Sequence, residues 1–242
     1  MATLVPHGNI RIIAMDGVKN RSPTEDEMEH MKKLLKSAYN QGAYGISTGL
    51  IYPPCSYSKT EELIELAKIS NQNQRFFVLH IRDERDKLIE AVREVIKIGL
   101  ESGCPMHISH FKVQGKKNWG KVKEALSLLK EMRKNGLDIT CDQYPYTAGS
   151  TMLSRLIPTW AHEEGAEKLI DRLKKKEIRK KLKEEMKDIE WESKIISYCK
   201  NEKNKIYEGK NIKEIAETQN KHPVEALCDL CLLYTSPSPR DS

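Results

Sequence analysis

Short apolar runs alternate with amphipathic stretches of helical period along the first 150 residues, and this alternation restricts the fold more than any other feature. The predicted strands cover residues 2–5, 43–48, 76–80, 106–110 and 137–142. One helical stretch separates each strand from the next, and the strand ends fall near positions 50, 80, 110 and 142. Strands that alternate with helices are typical of α/β proteins with a parallel sheet. The sequence therefore predicts that fold class.

A (β/α)8 barrel and a doubly wound sheet share this repeat, and the positions of polar residues distinguish between them. Polar residues follow the predicted strands in turn, as His7, Thr48, His80, His110 and Asp142. A (β/α)8 barrel builds its site from many strand ends at one face, whereas a doubly wound sheet concentrates its chemistry at one switch point, usually with a glycine-rich phosphate loop. The 242 residues contain no such loop. The pattern favours a barrel, of which five strands are visible.

Capping boxes predict where two of the helices begin. Ser22 stands three residues before Glu25, and Ser58 stands three residues before Glu61. In a capping box the side chain of the residue before the helix accepts a hydrogen bond from the backbone N–H of the third helical residue. The carboxylate of that third residue accepts a hydrogen bond from the backbone N–H of the residue before the helix. The two helices are therefore predicted to begin just after Ser22 and Ser58.

Two strand-end histidines, His80 and His110, are the candidate metal ligands. On neighbouring parallel strands, about 4.8 Å apart, two such side chains can converge on one ion. Strand alternation puts Lys112 on the side of His110 and sends His107 to the opposite side, which makes His107 a poor candidate. A catalytic zinc normally has three protein ligands, and Cys55 is a weak candidate for the third. The alternative for each histidine is a structural role, held by hydrogen bonds.

Ordered motifs follow the same strands. They read HIRDE at 80–84, ISHFK at 108–112, NWG at 118–120 and DQYPYTAGST at 142–151, with supporting stretches at 4–11, 47–52 and 156–161. In order and spacing they resemble the N-acyl-D-amino-acid deacylases, the D-aminoacylase branch of the amidohydrolase superfamily. The resemblance runs from about residue 2 to residue 230.

The resemblance implies a zinc-dependent barrel that hydrolyses the amide bond of N-acyl-D-amino acids to a carboxylate and a free D-amino acid. It implies that His80 and His110 are metal ligands at the ends of barrel strands five and six. It also implies substrate binding by Tyr52, Lys112, Tyr144 and Ser150. A cation and hydroxyl donors suit the carboxylate of the amino acid. Packing or surface roles are the alternatives for these residues.

Departures from the family pattern bear on activity. The family has a His-x-His pair, a metal-bridging cysteine and a general-base aspartate within Ser-Asp-Gly, whereas this sequence has neither His-x-His nor Ser-Asp-Gly. We therefore assign no catalytic residue and expect the chain as given to be inactive. The alternatives are a non-enzymatic partial-barrel remnant or binding protein, or an amidohydrolase for another N-acyl compound or a cyclic amide.

The domain prediction follows from these motifs. We expect a partial (β/α)8 barrel, about strands three to seven, over residues 1–160, a charged helical insertion over 161–221 and the start of a return to the barrel over 222–230. We expect that residues 231–242 do not continue the preceding helix, and they resemble a translated sequencing adapter. We therefore expect a truncated gene product, with both natural ends missing.

Charge and cysteine content restrict the partners. Residues 168–187 contain ten Lys or Arg, four Asp or Glu and no aromatic residue, which indicates solvated helices and not a nucleic-acid module. No apolar run is long enough to span a membrane. Six cysteines without a secretory signal favour a cytoplasmic location. The expected partner is a small-molecule N-acyl amino acid, with neither nucleic acid nor membrane; the oligomeric state is open.

Overall fold

The computed structural model describes residues 2–235, and its first unit contains a sheet of five parallel strands in chain order. The strands are β1 (Leu4–Pro6), β2 (Gly45–Gly49), β3 (Phe76–His80), β4 (Met106–Ile108) and β5 (Ile139–Cys141). A doubly wound sheet reverses its strand order at a switch point. Among the described strands the order runs from β1 to β5 without reversal, as in a barrel. The predicted parallel α/β fold is confirmed.

Helices follow the strands of this first unit. They are α1 (His7–Ala14), α2 (Glu25–Asn40), α3 (Thr60–Gln72), α4 (Leu88–Ser102) and α5 (Lys121–Lys134). Their apolar residues join one core with the strands; Leu35 of α2 and Val92 of α4 are fully buried in it. Burial of this apolar surface is the main stabilising contribution to the unit.

The two faces of the sheet have different environments. Along β3, Phe77 and Leu79 are buried in the core, whereas Val78 and His80 are only partly buried. Because successive side chains point to opposite faces of a strand, Val78 and His80 belong to the other face. In β4, the partly buried His107 lies opposite Val78 and shares that face. His80 therefore projects away from the helix-covered core.

Helices α2 and α3 each begin one or two residues later than predicted. Helix α2 begins at Glu25, and its capping box joins Thr24 to Glu27. Helix α3 begins at Thr60 without a side-chain cap, because the hydroxyl of Ser58 donates to the carbonyl of Cys55.

Two differences concern the strand ends. Helix α1 begins immediately after β1, and the sequence analysis did not predict it. Strand β4 ends at Ile108, two residues before its predicted end, because the backbone of His110 adopts a φ of +41°. A residue in this left-handed region cannot continue a strand. Lys112 was predicted to share a side with His110 because side chains alternate along a strand. That reason does not hold, because residues 109–112 are not part of the strand.

The chain divides into two compact units after Tyr146, and the second is helical. Its α-helices are α6 (Ala166–Leu173), α7 (Lys176–Glu185), α8 (Ile212–Thr218) and α9 (Pro223–Thr235). They enclose a separate apolar core that includes Leu173, Leu182, Ile215 and Leu227. The predicted divisions at residues 160, 221 and 230 stay predictions. Within residues 2–235, no helix is long and apolar enough to cross a membrane.

Helix α9 corrects one expectation about the end of the chain. It continues to Thr235, and Leu230 and Cys231 are both buried, so the prediction that the helix stops after Leu230 was wrong. Leu227 and Cys231 are four residues apart and so lie on one side of the helix. Residues 236–242 lie outside the described residues, and the adapter-derived origin of 231–242 stays a prediction.

Candidate metal centre

The two predicted ligands lie side by side. His80 is the last residue of β3, and His110 follows β4, its neighbour in the sheet. Their imidazole centroids are 4.3 Å apart, with the rings inclined by 74°. The side chain of His80 is 14% exposed and that of His110 is 31% exposed. Both rings are therefore sheltered but remain close to solvent.

Glu84 adds a third donor to this pair. Its Oε1 atom lies 3.5 Å from Nε2 of His80 and 3.3 Å from Nδ1 of His110. The side chain is only 4% exposed. One possible ligand atom from each of the three residues lies within 4.8 Å of the other two. Within residues 2–235, His80, Glu84 and His110 form the group of side chains that could hold a metal ion.

The chemistry and spacing of these donors fit zinc. Zn²⁺ binds imidazole nitrogen and carboxylate oxygen, whereas Ca²⁺ and Mg²⁺ favour oxygen ligands alone. Two ligands of a tetrahedral zinc at about 2.1 Å are about 3.4 Å apart. The distances from Glu84 to His80 and His110 are close to this value.

Lys112 lies against the same donors. Its Nζ donates to Oε1 of Glu84 at 2.6 Å and to the carbonyl of His110 at 3.2 Å, and it lies 3.1 Å from Nδ1 of His110. The ammonium is also 5.5 Å from the centroid of the Tyr144 ring. Gln114 holds the other carboxylate oxygen of Glu84 at 2.6 Å. The carboxylate is thus fixed from two sides.

The structure brings together most of the residues predicted to bind substrate. The ring of Tyr52 packs edge-on against His80 at 5.7 Å, and Lys112 and Tyr144 are adjacent to each other. Ser150 is exposed and belongs to the second unit.

Arg82 fixes the loop that contains Tyr52. Its guanidinium donates to the carbonyls of Ser56 and Ser58 and pairs with Glu94 of α4 at 2.9 Å. Arg82 thus ties the loop after β2 to helix α4.

Two other candidates lie outside the three-donor group. His107 bonds to Oγ1 of Thr140 at 2.8 Å and to Oδ2 of Asp142 at 2.9 Å. Cys55 is buried in a 3-10 turn that follows β2 and packs against the start of α1, where a Cβ built on Gly8 would lie 3.2 Å from its Sγ atom. Neither residue is in the described group of possible metal-binding donors.

A second polar cluster, buried in the first unit, contains His7. Nδ1 of His7 bonds to Oγ1 of Thr48 at 2.9 Å, and Nε2 bonds to Glu62 at 2.8 Å. Arg11 pairs with the other oxygen of Glu62 at 2.6 Å. Burial opposes the charge on His7, but hydrogen bonds with Cys55 and Glu62 outweigh it and raise the pKa of His7 to about 9. His7 is therefore a structural ion-pair residue and does not belong to the metal centre.

Glu84 and the partners of His7 were missed by the sequence analysis. Glu84 lies in an irregular segment, where no periodicity predicts the direction of a side chain. Glu62 lies among the buried residues of α3, and its pairing with His7 spans 55 positions. The one available signal for Glu84 is its place in the motif that begins with His80.

Comparison with known proteins supports the predicted relationship, although no family model matches the chain. D-aminoacylase from Alcaligenes xylosoxydans xylosoxydans is 38% identical over 167 residues, which are 66% of this chain and 34% of the relative. A solved D-aminoacylase structure, described as defining a novel subset of amidohydrolases, is 31% identical. It superposes with a TM-score of 0.72 over 95% of this chain and 41% of that one. In both sequence and fold, the chain is similar to the D-aminoacylases.

A second similar structure was solved with zinc and an inhibitor. N-acyl-D-glutamate deacylase from Bordetella bronchiseptica was solved with zinc and a phosphonate that mimics the tetrahedral intermediate of its reaction. It is 28% identical, with a TM-score of 0.74, over 93% of this chain and 41% of that one. The chain spans about a third of the length of the curated D-aminoacylase. The predicted resemblance to these deacylases and the partial-barrel fold are thus confirmed.

Proposed function

We propose that this chain is part of a zinc-dependent amidohydrolase that releases a carboxylate and a free D-amino acid from N-acyl-D-amino acids. The observation on which the proposal rests is the convergence of His80, Glu84 and His110 at the ends of adjacent strands. The family relationship supports the same reaction, because its members include D-aminoacylase and N-acyl-D-glutamate deacylase.

In this proposal His80 and His110 hold zinc, and Glu84 provides the third donor. The donor set and its spacing support zinc over a cation that prefers only oxygen. A zinc bound in such a site polarises a carbonyl and favours the ionisation of water. The protein holds the donors in place through Gln114, which bonds to Glu84 at 2.6 Å.

Four residues are proposed to bind the amino-acid part of the substrate: Tyr52, Lys112, Tyr144 and Ser150. The ammonium of Lys112 is a charged hydrogen-bond donor that lies next to the proposed metal ligands. The substrate carboxylate would replace one of the present hydrogen-bond partners of this ammonium. The ring of Tyr52 covers one side of His80 and limits access of water there. The role of Ser150 rests on the sequence motif alone.

No residue of this chain is proposed as the general base. Hydrolysis needs a group that removes a proton from water and returns one to the leaving amine. The family's Ser-Asp-Gly motif is absent from the 242 residues. We therefore propose that the chain binds zinc and substrate but does not turn substrate over alone.

Zinc binding is the direct test of this proposal. Chelator competition on the purified chain should give one tightly bound zinc, and His80→Ala or His110→Ala should abolish it. His30→Ala is the matched control, because His30 is exposed on α2, outside the three-donor group. An unaltered zinc content in both site variants would refute the metal centre.

Calorimetry on the zinc-loaded chain tests the substrate. N-acetyl-D-glutamate should bind more tightly than its L enantiomer, and Lys112→Met should weaken binding of the D form. Equal affinity for the two enantiomers would instead favour a binding protein or an amidohydrolase of other specificity. Release of free amino acid by the chain would contradict the proposed inactivity.

The remaining partner predictions belong to the same proposal. We propose a small-molecule substrate, no nucleic-acid or membrane partner and a cytoplasmic location. Within the described residues, no disulfide joins any of the six cysteines, which supports a reducing compartment.

A further inference from the structure

Asp142 lies beside the metal centre without belonging to it. It follows β5 at the same end of the sheet at which His110 follows β4. One carboxylate oxygen accepts the backbone N–H of His110, and the other accepts Nε2–H of His107 at 2.9 Å. The carboxylate is not in the described group of metal-binding donors.

The backbone of His110 needs support at this position. Its φ of +41° lies in the left-handed region, which is sterically unfavourable for a residue with a Cβ. Such a conformation persists where neighbouring groups hold it. The direction of the His110 ring depends on this backbone angle.

Asp142 holds the turn through its main chain as well. The N–H of Phe111 donates to the carbonyl of Asp142 at 2.7 Å, and the N–H of Asp142 donates to the carbonyl of Ile108 at 3.1 Å. With the carboxylate bond to His110, three hydrogen bonds join Asp142 to residues 108–111. The left-handed turn is therefore fixed at both of its ends and at its centre.

The carboxylate is itself held in one orientation. His107 donates to it through Nε2, while Nδ1 of His107 faces Oγ1 of Thr140 at 2.8 Å. Because Thr140 lies in β5, this chain of hydrogen bonds anchors Asp142 to the sheet. A rigid support of this kind usually orients the ligand residues of a metal site.

We propose that Asp142 is a positioning residue of the metal centre, which fixes the left-handed turn so that His110 faces His80 and Glu84. The inference rests on the proposed function, because it assumes that His110 binds the metal. Asp142 acts through the backbone of His110.

Cobalt binding tests the proposal on the full chain. Co²⁺ is titrated in competition with a chelator, and its visible absorption bands report the ligand geometry. Asp142→Ala should weaken Co²⁺ binding by about tenfold or more and alter these bands, as is typical when the support of a metal ligand is lost. Asp142→Asn should stay within about threefold of the wild type, because its amide oxygen still accepts the His110 N–H.

Asp138→Ala is the matched control. Asp138 immediately precedes β5, and its exposed carboxylate lies 4.0 Å from Arg133. Its substitution therefore removes one negative charge, as Asp142→Ala does. Its affinity and spectrum should match the wild type. Equal Co²⁺ affinity in Asp142→Ala and wild type would overturn the proposal, and so would an equal loss in Asp142→Asn and Asp142→Ala.

Amide exchange separates this inference from the proposed function. If the wild type binds no Co²⁺, the metal centre fails, but NMR exchange at the His110 amide still tests the role of Asp142. Exchange should accelerate at least about tenfold in Asp142→Ala and remain slow in Asp142→Asn. Unchanged exchange in Asp142→Ala refutes the positioning role. If Asp142→Ala does not fold, Asp142→Ser, which is too short to reach the amide, replaces it with the same expected outcomes.

Discussion

Nε2 of His7 lies 2.8 Å from Oε1 of Glu62, and the two side chains are 0% and 2% exposed. Arg11 pairs with the second oxygen of the same carboxylate and is equally buried. One carboxylate thus holds two cationic side chains of helix α1 against helix α3. In a buried site, removal of one partner leaves an uncompensated charge and is costly.

Glu62→Gln should therefore destabilise the first unit strongly. The amide keeps the shape but loses the charge that balances Arg11 and His7, and we expect a loss of about 3–5 kcal/mol in urea unfolding. Glu65→Gln is the control on the same helix, because Glu65 pairs with Lys32 and Lys68 at the surface and should change stability by less than about 1 kcal/mol. Equal effects of the two substitutions would contradict the buried ion pair.

Stability should fall at alkaline pH because of His7. Its pKa is about 9 in the folded protein and about 6.5 as the ordinary value, so the folded state binds the proton more tightly. The stabilisation is fully present below pH 6.5 and is lost as the pH rises through 9, by at most about 3 kcal/mol. Urea unfolding from pH 6 to pH 10 measures it. In His7→Gln the free energy of unfolding should depend less steeply on pH over this range. An unchanged pH dependence would assign the effect to another group.

Glu84→Gln should weaken zinc binding by at least about tenfold, because a neutral amide replaces the anionic donor next to His80 and His110. Chelator competition provides the dissociation constants. Glu90→Gln serves as the control, since Glu90 is exposed on α4. Wild-type affinity in Glu84→Gln would remove this residue from the metal centre.

Gly45→Ala should destabilise the pairing of β2 and β3. A Cβ at this position would lie 2.6 Å from the carbonyl oxygen of Phe76, and backbone cannot move aside as a side chain does. We expect a loss of about 1–3 kcal/mol in the free energy of unfolding. Ser47→Ala, in the same strand, should cost less than about 1 kcal/mol. The close approach would be disproved by a Gly45→Ala variant as stable as the wild type.

The repeating strands and the meeting of His80 with His110 could be predicted from the sequence. Both depend on local periodicity and on the rule that parallel strands end at one edge of the sheet. Strand β3 has its predicted bounds because its apolar run is long and ends abruptly at His80.

The position of Glu84 and the buried cluster around Glu62 could not be predicted in the same way. Glu84 reaches the histidines through an irregular turn, and its direction depends on backbone angles that no periodic pattern encodes. Glu62 looks like an ordinary charge of an amphipathic helix, and its burial depends on Arg11 and His7, which are distant in the sequence. The positions of these two carboxylates thus depend on tertiary contacts, which a local sequence pattern does not predict.

The unbroken order of the strands, from β1 to β5, has a consequence for how the first unit forms. Each strand pairs with the strands of the preceding and following repeats, so no described pairing in the sheet has to wait for a distant part of the chain. Contact order stays low for a parallel sheet, and a low contact order favours rapid folding. During synthesis, β1 and β2 could already pair while β5 was still within the ribosome.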